Sequence, residues 1–192
     1  MLDVIKKHAK DFTPAAGKGK KVLQGIHYRS DGSVMITDSH TLLYAKDVHD
    51  LSESIVKHHK TDKVINENYP NLNSVLNMNY STEFKINAEE VYPSLKTVKV
   101  SEIIDEVATL KDDLTFNVYD ISGQSYVLSL FGTKASFYPF HMKVANFHKC
   151  FSLFKDLGVV SVDVRIAGNM NPIRFSDEHD RLHVLIAPVR RY

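Results

Sequence analysis

The chain has 192 residues, 43% of them apolar, which fits one large domain or two small ones around an ordinary core. Charged residues make up 24% and the net charge is +1, so no global field draws the protein to nucleic acid and any attraction must come from local clusters. The single cysteine, Cys150, excludes a disulfide framework and a cysteine-built zinc site. No run approaches the ~18 apolar residues of a membrane span and the N-terminal segment lacks a signal-peptide core, so a cytoplasmic protein is expected.

Residues 1–12 have helical spacing, with Leu2, Ile5, Ala9 and Phe12 on one face and lysines on the other. A loop with Pro14, Gly17 and Gly19 ends this helix. Three short strands are expected next, at 22–29, 34–37 and 41–45, with a hairpin turn at 30–33. Residues 47–80 read as a polar connector with one helical turn near 52–58, closing on Tyr69-Pro-Asn-Leu-Asn-Ser-Val-Leu76. A strand at 82–87 leads into helix over 88–110, where Pro93 starts a second helix or marks a break and Ile103, Ile104 and Val107 face a core. Strands follow at 114–119 and 126–131 around a turn at 121–124, with a third near 135–137. After a short strand at 140–144 comes a helix over 145–157, with Phe147, Phe151 and Phe154 on one stripe and Gly158 as its stop. Strands at 159–166, 173–175 and 182–187 complete the chain, and Pro188 ends the last one.

A helix followed by two or three antiparallel strands thus recurs near 1–46, 84–137 and 140–188. The fold class is α+β, built from repeated units of one helix plus an antiparallel meander. The division expected is a partial domain with its connector at 1–80 and a complete domain at 81–192.

The ten histidines do not assemble into a recognisable enzyme motif. His58-His59 has no third ligand at metal-binding spacing, HExxH is absent, and so are a Walker A loop, Gly-x-Gly-x-x-Gly and the Gly-x-Ser-x-Gly elbow. Thr37, Asp38 and His40 lie too close on one turn for triad geometry; Asp38 is expected to cap that turn instead. No catalytic residue, metal or cofactor is therefore assigned. The basic residues are more informative. Lys6, Lys7, Lys10, Lys18, Lys20 and Lys21 face only Asp3 and Asp11 in the first 21 residues, an excess of four positive charges. Lys149 and Lys155 sit opposite the phenylalanine stripe. Lysines on the exposed faces of helices can track phosphates without reading bases, so these eight are the candidate DNA contacts.

Three segments carry a resemblance. Gly32-Ser-Val-Met-Ile-Thr-Asp-Ser-His-Thr-Leu-Leu43 is similar to "G-x-L-x-x-x-(A)-T-D-G-H-R-L-A", Tyr69–Leu76 to "Y/F-P-D-(Y)-x-x-V-I-P", and 140–192 to a final unit ending "M-P-(M/V)-R", here Ala187-Pro-Val-Arg190. Together they resemble the bacterial sliding clamp, the β subunit of DNA polymerase III. Ser39, Thr41 and Ala187 depart from that pattern, and the chain is half a domain plus one domain, as a compact clamp of a phage or mobile element would be. The resemblance implies a DNA-clamp-like fold, no enzymatic activity and a homo-oligomeric ring around duplex DNA. It also implies a pocket for peptides of a DNA polymerase or other clamp-binding proteins, formed by Thr37, His40, Leu42, Leu185, Ala187, Pro188, Val189 and Arg190. The alternative is a monomeric adaptor or decoy that keeps the pocket and does not encircle DNA.

Overall fold

Period-two alternation gives each strand one face for a core and one for the outside, and the strand pairing follows from it. The computed structural model describes residues 1–15, 18–97, 107–119, 125–130, 132–133 and 135–190. In chain order the elements are α1 (Leu2–His8), β1 (Gly25–Tyr28), β2 (Val34–Thr37), β3 (Thr41–Ala45), β4 (Ile55–His58), α2 (Asn73–Leu76), β5 (Thr82–Asn87), α3 (Ala88–Thr97), β6 (Val107–Leu110), β7 (Thr115–Tyr119), β8 (Ser125–Ser129), β9 (Phe140–Lys143), α4 (Val144–Asp156), β10 (Ser161–Ile166), β11 (Ile173–Asp177) and β12 (Leu182–Ile186). Eight strands form one sheet in the order β4-β1-β2-β3-β12-β11-β10-β5, and four form a second in the order β8-β7-β6-β9. Every pairing is antiparallel.

The larger sheet takes four strands from residues 1–80 and four from 81–192, joined where β3 pairs with β12. Its register lines up Ile36, Leu43, Val184, Phe175, Val164 and Phe84 in one cross-strand row. All six are buried, and this inner face meets the helices. α4 packs against α1 and α3. Its aromatic stripe joins both sheets: the Phe147 ring lies 4.5 Å from Phe116 of β7 and 5.9 Å from Phe175 of β11, and Phe151 also lies 5.9 Å from Phe175. Each such buried ring contributes about 1.5–3 kcal/mol by burial alone.

The mixed α+β architecture of meanders and helices agrees with the sequence reading, as do the strands at 34–37, 41–45 and 82–87. Four details differ. Residues 55–58 form strand β4, paired along β1, where a helical turn was expected; Ile55, Lys57 and His58 are only half-buried on this edge, so alternation is weak. The helical turn falls instead at α2. Residues 22–24 belong to a 3-10 turn over Lys21–Gln24, and the strand begins at Gly25. There a Cβ would come within 2.4 Å of Val56 Cγ1, so glycine lets β4 approach. Finally, α3 runs unbroken through Pro93 over its described span Ala88–Thr97, and 107–110 is strand β6. No strand forms at 135–137, where Phe137 stacks on Phe84, rings 5.2 Å apart. Ile103, Ile104, the 121–124 turn and Gly17 lie outside the described residues.

Candidate partner-binding pocket

The outer face of the larger sheet carries two cross-strand rows. One runs His27, Met35, Tyr44, His183, Ser176, Asp163 and Lys85; the next runs Thr37, Leu42, Leu185, Arg174, Arg165 and Glu83. Met35, Leu42 and Leu185 form an apolar patch at their centre. A second patch of Val22, Leu23, Val56 and Ile65 lies beside it, and Tyr69 packs on both. Tyr69 also lies against His27, ring centroids 4.7 Å apart. Burial pushes the Tyr69 phenol well above its ordinary pKa, so it stays neutral.

Between the patches is a pocket of about 490 Å³. Leu42 and Leu185 of the sheet line it with Val22 and Leu23 of the 3-10 turn, and with Leu72, just before α2, and Val75 of α2, both of which pack on the Met35, Leu42 and Leu185 patch. Thr37, His40, Lys20 and Asn68 add polar groups to the lining. Apolar walls with a few polar groups suit a ligand that buries apolar side chains and is oriented by hydrogen bonds.

The β2–β3 turn fixes the polar edge. One Asp38 carboxylate oxygen, Oδ1, accepts hydrogen bonds from the backbone N–H of His40 (2.9 Å) and Thr41 (2.6 Å) and from the Thr41 hydroxyl (2.9 Å). The other, Oδ2, accepts from Lys149 Nζ of α4 at 2.8 Å, both side chains being largely buried. Burial alone would raise the Asp38 pKa. The Lys149 ammonium and the backbone donors outweigh it and hold the pKa below the ordinary value. Ser39 sits at φ 76°, the left-handed region that favours glycine, and donates its N–H to Thr37 Oγ1 at 3.0 Å. The His40 carbonyl then accepts from the Ala187 N–H at 2.8 Å, which ties the turn to the end of β12.

Of the eight pocket residues expected from the sequence, the structure brings Thr37, His40, Leu42, Leu185 and Ala187 together around this cavity. Pro188, Val189 and Arg190 do not line it. The chain turns away after Ala187, and the Val189 N–H donates to the His141 carbonyl of β9 at 2.8 Å, leaving Arg190 exposed. Val22, Leu23, Leu72, Val75 and Pro172 line it and were not expected to. Leu72 and Val75 had a usable signal, a helical i, i+3 pair inside a segment already singled out.

The lysines divide. Lys6 is exposed on α1 and Lys10 on the 3-10 turn Ala9–Asp11 that follows it, while Ile5 and Ala9 are buried. Lys7 pairs with Asp156 of α4 at 2.7 Å, an aspartate that also meets His8 Nε2 at 2.9 Å. Lys18, Lys20 and Lys21 are exposed in the loop beside the pocket, and Lys20 lines it. Lys155 reaches over the Tyr92 ring at 5.9 Å. Lys149 is turned inward, paired with Asp38 and 5.4 Å from the Phe12 ring centroid. Among the described residues no group of three or more His, Cys, Asp or Glu is placed to hold a metal ion, and no helix is long and apolar enough to cross a membrane.

Solved structures match this architecture over nearly the whole chain. The DNA polymerase sliding clamp of Bacillus subtilis superposes with a TM-score of 0.77 at 16% identity, covering 99% of this chain and 63% of that one. The DNA polymerase β subunit of Streptococcus pyogenes gives 0.78 at 14% identity, covering 98% and 64%. This is the sliding-clamp fold. The Helicobacter pylori β clamp bound to a DNA ligase peptide gives 0.73 at 18% identity, covering 98% of this chain and 63% of that one. The chain therefore spans a little under two thirds of the length of these clamps. No protein-family model and no curated protein sequence matches it. The sliding-clamp likeness rests on structure, at identities where most side chains differ.

Proposed function

We propose that the protein is a non-enzymatic, cytoplasmic clamp-fold adaptor that holds an extended, apolar-anchored peptide of a DNA polymerase or another DNA-metabolism protein. It needs no metal or cofactor. The pocket between the 19–23 loop, the β2–β3 turn and α2 carries this reading, because its apolar base and ordered polar edge fit anchored-peptide recognition. The Helicobacter pylori clamp, which has this fold, was solved with a DNA ligase peptide bound. Fluorescence anisotropy with that class of peptide tests the reading. Saturable binding to the wild type is expected, weakened at least ~10-fold by His40→Ala with Leu72→Ala, an effect of about 1.4 kcal/mol. Equal affinity for both proteins, or none for the wild type, overturns it.

A second reading adds DNA. Lys6 on α1 and Lys10 on the 3-10 turn after it are exposed and form no ion pair among the described residues, which favours phosphate contact, and a ring around duplex DNA would need several copies of the chain. Against it, the same helix layer also exposes Glu89 and Glu90 of α3. Sedimentation with and without circular duplex DNA separates the two. A monomer with no salt-dependent DNA affinity leaves the adaptor alone.

A further inference from the structure

We propose that a second site, on the opposite side of α2 from the peptide pocket, binds a phosphate group through Arg174. Arg174 stands on β11 in the same outer row as Leu42 and Leu185 and is only 9% exposed. Among the described residues no carboxylate lies within ion-pair distance of it. Its Nη2 donates to the Leu76 carbonyl at the end of α2, its guanidinium lies 4.8 Å from the Tyr80 ring centroid, and its buried Nε meets no acceptor. A guanidinium carries five N–H donors and a permanent charge, and burying such a charge without a counter-ion is strongly unfavourable.

The neighbouring strand provides the contrast. Arg165, directly opposite Arg174 on β10, meets Glu83 at 3.2 Å and Asp180 at 2.8 Å. An arginine on this face can thus be neutralised by the protein itself, and Arg174 is not. Arg174 also borders a polar cavity of about 480 Å³ beside α2. The cavity's other cations are already engaged, Arg29 with Asp31 at 3.2 Å and Lys46 with Asp180 at 2.8 Å. Three cations against two aspartates leave one positive charge, and it belongs to the residue with the free donor. Asn73 and Asn77 of the α2 segment line the same cavity with amides that can donate to an oxyanion. Guanidinium groups bind phosphate through paired N–H donors, and the volume exceeds a bare ion, so a phosphate ester of a small molecule fits as well as free phosphate.

Calorimetric titration and thermal unfolding with inorganic phosphate and with deoxyadenosine monophosphate, at ionic strength held constant with chloride, test the site. Saturable binding and a rise in Tm are expected for the wild type with at least one of them. Tighter binding of the nucleotide identifies an ester; equal binding identifies the free anion. Arg174→Met should weaken binding at least ~10-fold while the ligand-free protein stays as stable as the wild type or becomes more so, since a buried unpaired charge has been removed. Arg165→Met should keep binding. Asn77→Asp, on an exposed residue at the cavity, should also weaken it ~10-fold, and this variant decides the matter if Arg174→Met does not fold. No saturable response from the wild type, or an unchanged response from Arg174→Met or from Asn77→Asp, overturns the proposal.

Discussion

The two faces of the eight-stranded sheet are made by the same strands and do opposite things. The inner row from Ile36 to Phe84 is uniformly apolar and buried in the main core. The parallel outer row begins at Thr37, passes through two leucines and ends on Arg174, Arg165 and Glu83. Helices α3 and α4 pack on the first face; on the second only the short α2 segment packs among the described helices, with a cavity on either side of it. Period-two alternation therefore separates stability from recognition one residue at a time. The inner residue of each pair is constrained by packing, and its outer neighbour is free to vary in chemistry.

The contrast can be broken first from the inside. Phe151→Ala removes a ring that meets Phe147, Phe154 and Phe175, and chemical denaturation should show a loss of about 3–5 kcal/mol. A loss below 1 kcal/mol would mean the inner face is not the stabilising one. The outer face should add a pH dependence. His183, 2% exposed and stacked on Tyr44, has its pKa lowered to about 4, chiefly by burial, with Asp180 pulling upward and Arg174 and Lys46 downward. The unfolded chain binds this proton near pH 6.5 and the folded one only near pH 4. Stability is thus full above 6.5 and falls as pH drops through that window, by at most about 3 kcal/mol. His27, also lowered first by burial, adds to the same slope. Denaturation between pH 7 and 4 should show the loss in the wild type and much less of it in His183→Gln. The smallest effects belong to the rim. His40→Ala should change stability by less than ~0.5 kcal/mol, because the side chain is exposed. Lys6→Glu with Lys10→Glu should be equally mild for stability and leave peptide affinity unchanged.

Most of the sheet was legible because strands such as Val34–Thr37 and Thr41–Ala45 are short apolar runs bounded by turn residues. β4 was not, because its half-buried edge position and histidines blur the alternation. In the pocket, Thr37, His40 and Leu42 could be found from one contiguous motif, and Leu185 and Ala187 from the terminal strand. Val22, Leu23 and Pro172 could not, since the cavity depends on how a 3-10 turn and a loop fold back over the sheet, which no periodicity encodes. Arg174 was equally hidden: its significance is that no carboxylate among the described residues meets it, and such pairings are set by register.

The link between Lys149 and Asp38 changes how mutagenesis of this protein should be planned. Lys149 is a natural target for anyone removing positive charge from the helices, yet its ammonium ends on the carboxylate that shapes the Thr37–Thr41 turn. Lys149→Glu would set two carboxylates against each other beside His40 and distort the peptide-binding edge while appearing to report on nucleic acid. A loss of function in that variant would be assigned to the wrong ligand. Lys6 and Lys10, whose side chains form no ion pair among the described residues, are the clean controls.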